Sequence, residues 1–280
     1  VICFDIASLN DNKNKNLTYK KYFGSILNSY DIERALKGCD IVIHLAALVG
    51  VEVTERKSLD CLHINIQGTS NVLDAAIKNK VKKIIFSSSS EVYGEPSHNP
   101  ISEDDETKGK TVYAVSKLAA ERVVFTMYKE HNIPAVIIRP FNSFGPNITQ
   151  PYIIPEIINQ LLKGTKELTL GNVNTSRDFT FVQDTADGIL RCIDNKKAIG
   201  EIINIGSGNE IKVINLANKL IKISKKKIKV KTDESRLRPY DVDRLICDNK
   251  KARTILKWKP KVPINAGLKK TFDWAVKNKV

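Results

Sequence analysis

The chain has 280 residues, 42% of them hydrophobic, which is enough for a large core and suits one α/β domain with a smaller appended lobe. No apolar run reaches the roughly eighteen residues that a membrane-spanning helix needs. Five scattered cysteines (Cys3, Cys39, Cys61, Cys192, Cys247) form no CxxC pair and four histidines lack ligand spacing, so the composition argues for reduced thiols in a cytoplasm and against disulfides or a metal centre.

The net charge of +14 is uneven: residues 1–140 carry 18 Lys+Arg against 17 Asp+Glu, and residues 141–280 carry 27 against 14. A basic half can attract nucleic acid or a phosphorylated ligand. The densest run, Lys225–Lys231, alternates like an exposed strand and has no interleaved aromatics to stack bases. It reads as solvated surface, and no nucleic-acid partner is expected.

In chain order, Val1–Phe4 reads as a buried strand ending at Asp5, with neither the basic lead nor the long apolar stretch of a signal peptide. Residues 6–20 are rich in Asn, Lys and Asp and read as a loop. A short helix follows at Asp31–Lys37, then a buried strand at Ile41–Ala47, a helix at Gly68–Lys78 and another strand at Lys83–Ser88. Val112–Glu130 reads as a long helix and Ala135–Ile138 as a strand. Strands alternating with helices at this spacing predict a parallel sheet covered by helices, with ligands beyond the carboxyl ends of the strands. Those ends carry Asp5, His44–Ala47, Ser87–Glu91 and Arg139–Asn142. Beyond Pro140 the pattern loosens, with helices expected at Ile153–Lys163, Asp184–Asp194, Val213–Ile223 and Ala266–Lys277 and a strand at Ile202–Ile205. The expected organisation is a nucleotide-binding domain over 1–142 and a substrate lobe over 143–280, with about 180–206 returning to the first sheet. A dinucleotide-binding fold opens with a strand, a glycine-rich turn and a helix. No such turn lies in the sequence ahead of Asp5, so the chain is expected to begin at the second strand of the fold, about thirty residues into a βαβ unit.

Tyr113 and Lys117 stand four apart in Tyr113-Ala-Val-Ser-Lys117, on one face of a helix. An ammonium one turn from a phenol favours the phenolate and makes a base able to take a proton from an alcohol. Some twenty residues upstream, Ser87-Ser-Ser-Ser-Glu91-Val-Tyr-Gly94 follows a buried strand. A hydroxyl there, Ser89, can bond a substrate alcohol, and Glu91 shares its face if the strand persists. The alternative for these serines is a turn that bonds its own backbone.

With these pieces in order the chain resembles the extended short-chain dehydrogenases, the NAD-dependent nucleotide-sugar epimerases and dehydratases. The matching segments include Val1–Asp5, His44-Leu-Ala-Ala47, Asn65-Ile-Gln-Gly68, Ser87–Gly94, Tyr113–Lys117, Arg139–Pro146, Arg177–Val182, Asn204–Gly208, Arg238-Pro239 and Leu256-Lys-Trp258. The resemblance implies a Rossmann-type doubly wound parallel sheet, here without its first strand and glycine turn, beside a smaller C-terminal α/β lobe. It implies NAD as cofactor. Asp5 would bond the adenosine ribose, and Ser25, Ile26, Leu45, Ala46, Ala47 and Ser87 would line the cofactor. Ser25 stands where the family usually has a carboxylate at the adenine. Tyr113 would be the base, Lys117 would also hold the nicotinamide ribose, and Ser89 and Ser90 would face the substrate. Asn142, Arg177 and Arg238 would grip its diphosphate, a task suited to the planar guanidinium fork.

In such enzymes oxidation of a sugar hydroxyl precedes 4,6-dehydration, C4 epimerisation or decarboxylation. Glu91 stands where dehydratases of this type carry the base for the C5 proton, although decarboxylases share it. Ser90, in place of an Asp, resembles the GDP-mannose and UDP-N-acetylglucosamine dehydratases more than the dTDP-glucose type. The resemblance therefore points first to a 4,6-dehydratase, then to an epimerase such as UDP-glucose 4-epimerase, then to a UDP-glucuronate decarboxylase, with a non-catalytic relative as the last alternative. It also implies a cytoplasmic homodimer, paired through Thr69–Lys78 and Tyr113–Glu130 and serving polysaccharide precursor synthesis.

Overall fold

The computed structural model describes residues 1–7, 19–147, 152–237 and 241–278. The chain divides into two compact units. The first comprises 1–88, 112–137 and 199–201, and the second comprises 89–111, 138–198 and 202–280.

In the first unit, β1 (Ile2–Asp5) pairs in parallel with β2 (Lys20–Phe23), a strand that the polar sequence of 6–20 does not announce. Helix α1 (Ser29–Leu36) starts where Asn28 Oδ1 accepts the Tyr30 and Asp31 amides at 3.1 and 3.4 Å, a cap contributing about 1 kcal/mol. It buries Ile32 and Ala35. Strand β3 (Ile41–His44) runs parallel to β4 (Lys83–Ser87), with Ile41 opposite Lys83 and His44 opposite Phe86. Between them the chain is helical: α2 (Val51–Arg56), α3 (Ser58–Leu62), a π turn over His63–Gln67 and α4 (Gly68–Lys78). Four consecutive residues of β4, Lys83–Phe86, are buried, as a strand covered on both faces must be. Helix α5 (Val112–His131) leads to β5 (Ala135–Pro140), the next neighbour of β4. Leu45–Ala47 lies beyond β3 as irregular chain, so this apolar run outlasts its strand.

The second unit continues β5 beyond Ile137, and β9 (Ile202–Ile205) lies beside it. A second sheet centres on β8 (Ser176–Phe181). Strand β6 (Asn142–Phe144) and β12 (Arg244–Leu245) pair with β8 in parallel, and β10 (Glu210–Lys212) pairs with it antiparallel. A parallel pair, β7 (Glu167–Leu170) and β11 (Lys229–Thr232), completes the strands described. The helices are α6 (Ile153–Lys163), α7 (Val182–Arg191), α8 (Val213–Ser224), α9 (Lys250–Ile255) and α10 (Ile264–Asn278).

The core of this unit follows from helical spacing. Ile154, Ile157, Ile158 and Leu161 fall on one face of α6 and pack with Leu216 and Leu220 of α8, Leu268 of α10 and the ring cluster Phe144, Phe179 and Phe181. Phe144 meets the other two rings edge-on, at 6.3 and 5.6 Å between centroids. Asp178 is fully buried in β8 and ties three segments together. Its carboxylate accepts the Ser207 amide (2.8 Å), the Ser207 hydroxyl, the Gly208 amide (2.7 Å) and the Cys247 amide (3.3 Å). Burial pushes its carboxyl above the usual range, against the pull of those donors.

Two substitutions test this packing. Leu161→Ala removes a side chain with no exposed surface and should lower stability by about 2–5 kcal/mol. Helix α8 ends at Lys225, which takes a left-handed conformation (φ 57°) that a β-carbon disfavours. Lys225→Gly should therefore raise stability, by about 0.5–1 kcal/mol after the added chain entropy of glycine. Urea unfolding midpoints of the two variants should move in opposite directions, and a downward shift for Lys225→Gly would sink the second expectation.

Candidate functional site

The residues singled out in the sequence are divided between the units. Asp5, Ser25, Ile26, Leu45–Ala47, Ser87, Tyr113 and Lys117 belong to the first, and Ser89, Ser90, Glu91, Asn142 and Arg177 to the second. Arg238 lies outside the described residues.

In the first unit, parallel pairing brings the carboxyl ends of β3 and β4 to one edge. Leu45 is 55% exposed just beyond β3, next to an exposed Ala46 and a half-buried Ala47. Asn65, in the π turn, fixes this stretch from both sides: its Oδ1 accepts the Leu48 amide at 2.7 Å and its Nδ2 donates to the Leu48 carbonyl at 3.1 Å. The same Nδ2 lies 2.9 Å from Ser116 Oγ on α5. Asp5 ends β1 with an exposed carboxylate that accepts the Ala7 amide at 2.8 Å, so it also forms a turn. Ser25 Oγ accepts the Leu27 amide at 3.1 Å, and Ile26 is buried beneath it against Gly68. Ser87 is half-buried and donates to the Ser88 carbonyl. Ser88 Oγ is buried with no hydrogen-bond partner among the described residues.

Tyr113 stands half-buried on the first turn of α5, and Lys117 lies one turn further on. Lys117 is only 3% exposed, with Nζ 4.7 Å from the centroid of the Phe86 ring. Burial pulls its pKa down to about 8, while Glu121 and then Cys61 push it up. Opposite, Thr69 gives its hydroxyl proton to the Asn65 carbonyl (2.6 Å), which leaves it to accept from His44 Nε2 at 3.0 Å. Burial, and then Lys117, lowers the His44 pKa to about 3, so this ring is neutral. The sheet therefore offers Lys117 no competing charge from His44.

The second unit corrects one expectation. The strand does not persist through Ser89 and Glu91: β4 ends at Ser87 and a 3₁₀ turn runs over Ser90–Tyr93. Ser89 caps that turn by accepting the Glu91 amide at 3.2 Å, the backbone-bonding role open to any serine in a turn. Glu91 is half-buried and Ser90 is 3% exposed. Gly94 closes the turn at φ 61°, where a β-carbon would stand 2.1 Å from the Lys108 carbonyl oxygen. Tyr152, at the start of α6, also senses Glu91: burial first and the carboxylate second raise its phenol pKa. Below the turn, Tyr93 is fully buried, donates to Asn204 Oδ1 at 2.8 Å and lies under the Arg139 guanidinium, 4.8 Å from the ring centroid.

Asn142 begins β6, and its Oδ1 is buried without a hydrogen-bond partner among the described residues. Arg177 of β8 is already engaged: Nη2 lies 2.7 Å from Asp241 Oδ1, and Nη1 donates to the carbonyls of Ser176 (3.0 Å) and Asp243 (3.4 Å). His44, Asn65 and Ser116 stand out in the sequence only as parts of motifs, and nothing local marks Tyr152. The signal available for Glu121 is its spacing, another four residues along the Tyr113–Lys117 face.

The residues of the first unit suit a nicotinamide dinucleotide. Leu45 and Ala46 offer apolar surface for a flat base, Asp5 offers a carboxylate for ribose hydroxyls, Ser88 keeps an unused buried hydroxyl, and Lys117 supplies a cation.

Comparison with known proteins agrees with this chemistry. The family model described as GDP-mannose 4,6 dehydratase matches residues 4–271. A UDP-N-acetyl-alpha-D-glucosaminuronate decarboxylase of Bacillus cytotoxicus is 34% identical over 89% of this chain and 81% of its own length. A dTDP-D-glucose 4,6-dehydratase of Mus musculus is 31% identical over 99% and 79%. Among solved structures, the UDP-glucuronic acid 4-epimerase of Bacillus cereus, in complex with UDP-glucuronic acid and NAD, superposes with a TM-score of 0.87 at 32% identity, covering 95% of this chain and 84% of that one. The match spans nearly the whole chain, and it is with the NAD-dependent nucleotide-sugar epimerases and dehydratases, the family of GDP-mannose 4,6-dehydratase, that this protein belongs.

Proposed function

We propose that the chain is an NAD-dependent 4,6-dehydratase of a nucleotide-diphosphate sugar. When bound, NAD would supply a reversible acceptor for the hydride. The residues do the rest. Tyr113 takes the proton of the sugar 4-hydroxyl, helped by the positive charge of Lys117. Ser89 bonds the same oxygen, and Ser90 faces the sugar. Glu91 takes the C5 proton and passes a proton to the departing C6 hydroxyl, which leaves as water. Asn142, Arg177 and Arg238 hold the diphosphate. Asp5, Ser25, Ile26, Leu45, Ala46, Ala47 and Ser87 hold the cofactor, and two copies pair through α4 and α5.

Glu91 is the observation that carries the dehydratase reading. It sits on a turn capped by Ser89 and closed by a glycine where a β-carbon would meet the Lys108 carbonyl, which supports a fixed backbone position for Glu91. A second reading, decarboxylation or C4 epimerisation, draws support from relatives of both activities at similar identity.

Product masses distinguish these readings. Incubated with NAD and a panel of UDP-, GDP- and dTDP-sugars, UDP-glucuronate included, the protein should yield a product lighter by one water. Loss of carbon dioxide or an unchanged mass would replace the dehydratase with the decarboxylase or the epimerase. Tyr113→Phe should lower the rate of sugar oxidation by about 10²–10⁴-fold, and a variant that turns over normally would remove Tyr113 from the role of base. Glu91→Gln should still reduce NAD in a single turnover yet release no dehydrated product. Full dehydration by that variant would mean that another group takes the C5 proton.

A further inference from the structure

We propose that Tyr93 is a positioning residue for Glu91: its buried hydroxyl moors the 3₁₀ turn that carries the carboxylate to strand β9. The proposal rests on the reading of Glu91 as the group that takes the C5 proton.

Glu91 and Tyr93 share the single turn Ser90–Tyr93. The bonds that the turn makes to itself are at the long end of the usual range. The Val92 amide reaches the Ser89 carbonyl at 3.3 Å, and the Gly94 amide reaches the Glu91 carbonyl at 3.1 Å. On the outer side the Lys108 amide meets the Tyr93 carbonyl, again at 3.3 Å. A turn of this kind depends on its side chains to hold its place.

Tyr93 supplies the hold. Its side chain has no exposed surface, and its hydroxyl donates to Asn204 Oδ1 at 2.8 Å, joining residues 111 apart in the chain. The Arg139 guanidinium of β5 stands 4.8 Å from the ring centroid. Burial pushes the phenol well above its ordinary range, with Arg139 pulling the other way, so the hydroxyl stays protonated and remains a donor.

Asn204 is a firm mooring because its other polar groups are also engaged. Nδ2 donates to the Ile101 carbonyl at 3.2 Å, and the backbone amide donates to Glu103 Oε1 at 2.7 Å. Asparagine is depleted in strands and costly to bury without partners. Phenylalanine at 93 and leucine at 204 would fill the same space. What the two polar groups add is direction: a short hydrogen bond fixes where the ring sits, and the turn with it.

A displacement of about 1 Å in a reacting group can cost a hundredfold in rate. Loosening the turn should therefore slow the step that Glu91 performs. The oxidation, which Tyr113 performs from α5, should keep its rate.

The test uses Tyr93→Phe, which keeps the ring and removes only the hydroxyl. The full-length protein is incubated in deuterated water with NAD and, in turn, GDP-mannose, UDP-N-acetylglucosamine and dTDP-glucose. In a single turnover the variant should form NADH at the wild-type rate, while deuterium incorporation at C5 and release of dehydrated sugar fall by about 10–100-fold. Equal loss in both steps, or loss in neither, overturns the proposal. Tyr93→Phe combined with Asn204→Leu replaces both partners by apolar groups, while the Ile101 carbonyl keeps the Asp248 amide at 2.8 Å. Such paired replacement can leave stability nearly unchanged. The double variant should regain the urea midpoint lost by Tyr93→Phe without regaining dehydration, and recovery of both overturns the proposal. Amide exchange answers independently of turnover. In Tyr93→Phe the Val92 and Gly94 amides should exchange about tenfold faster, the equivalent of one neutral hydrogen bond, and unchanged exchange overturns the mooring. Should Tyr93→Phe fail to fold, the same two amides in the wild type decide: protection equal to that of the Asn204 amide supports the mooring, and open-chain rates overturn it. Glu91→Gln separates the two levels, since full dehydration by that variant overturns the reading of Glu91 while the amide exchange still answers for Tyr93.

Discussion

Parallel strand pairing is the constraint from which the candidate chemistry of the first unit follows. Parallel neighbours cannot be joined by a hairpin, so the chain must travel back through helices between β3 and β4. Both strands then end at the same edge. Irregular chain there exposes Leu45 and Ala46, and the returning helix α5 delivers Tyr113 on its first turn. Asn65 holds the Leu48 backbone and reaches Ser116, and so ties the exposed edge to the helix that carries the phenol.

Electrostatics completes what topology begins. The unit buries two lysines (Lys83 and Lys117), a glutamate and a histidine, which would destabilise it if all were charged and isolated. The histidine avoids the problem by staying neutral and donating to Thr69. Lys117 keeps a proton that a drier site would take from it, because the Glu121 carboxylate and an aromatic face both favour the cation. A phenol placed at the open end of this row meets positive charge that water screens only weakly.

Much of this was legible in the sequence, for identifiable reasons. Helices α4, α6 and α8 could be read because their apolar residues keep a helical period, and β3 and β4 because buried parallel strands are near-continuous apolar runs. Strand β2 could not, because Lys20–Phe23 is charged and aromatic and gains its structure from pairing with β1. The 3₁₀ turn at Ser90–Tyr93 was hidden for a related reason: four serines after an apolar run look the same whether the strand continues or a hydroxyl caps a new turn. The partnership of Arg177 with Asp241 joins residues 64 apart in the chain, beyond any local pattern. The burial of Glu121 was equally invisible, since a glutamate on a helix is by default a surface residue.

The carboxylate of Asp178 has a consequence for how the second unit opens. The amides of Ser207, Gly208 and Cys247 share one acceptor group, although Cys247 lies 69 residues along the chain from Asp178. Releasing any one of these segments leaves the others facing a buried charge with fewer donors, so separate fraying is disfavoured. These three amides should therefore exchange with solvent as a single cooperative body. The connecting loops, which take no part in the knot, are free to vary in length without loosening it.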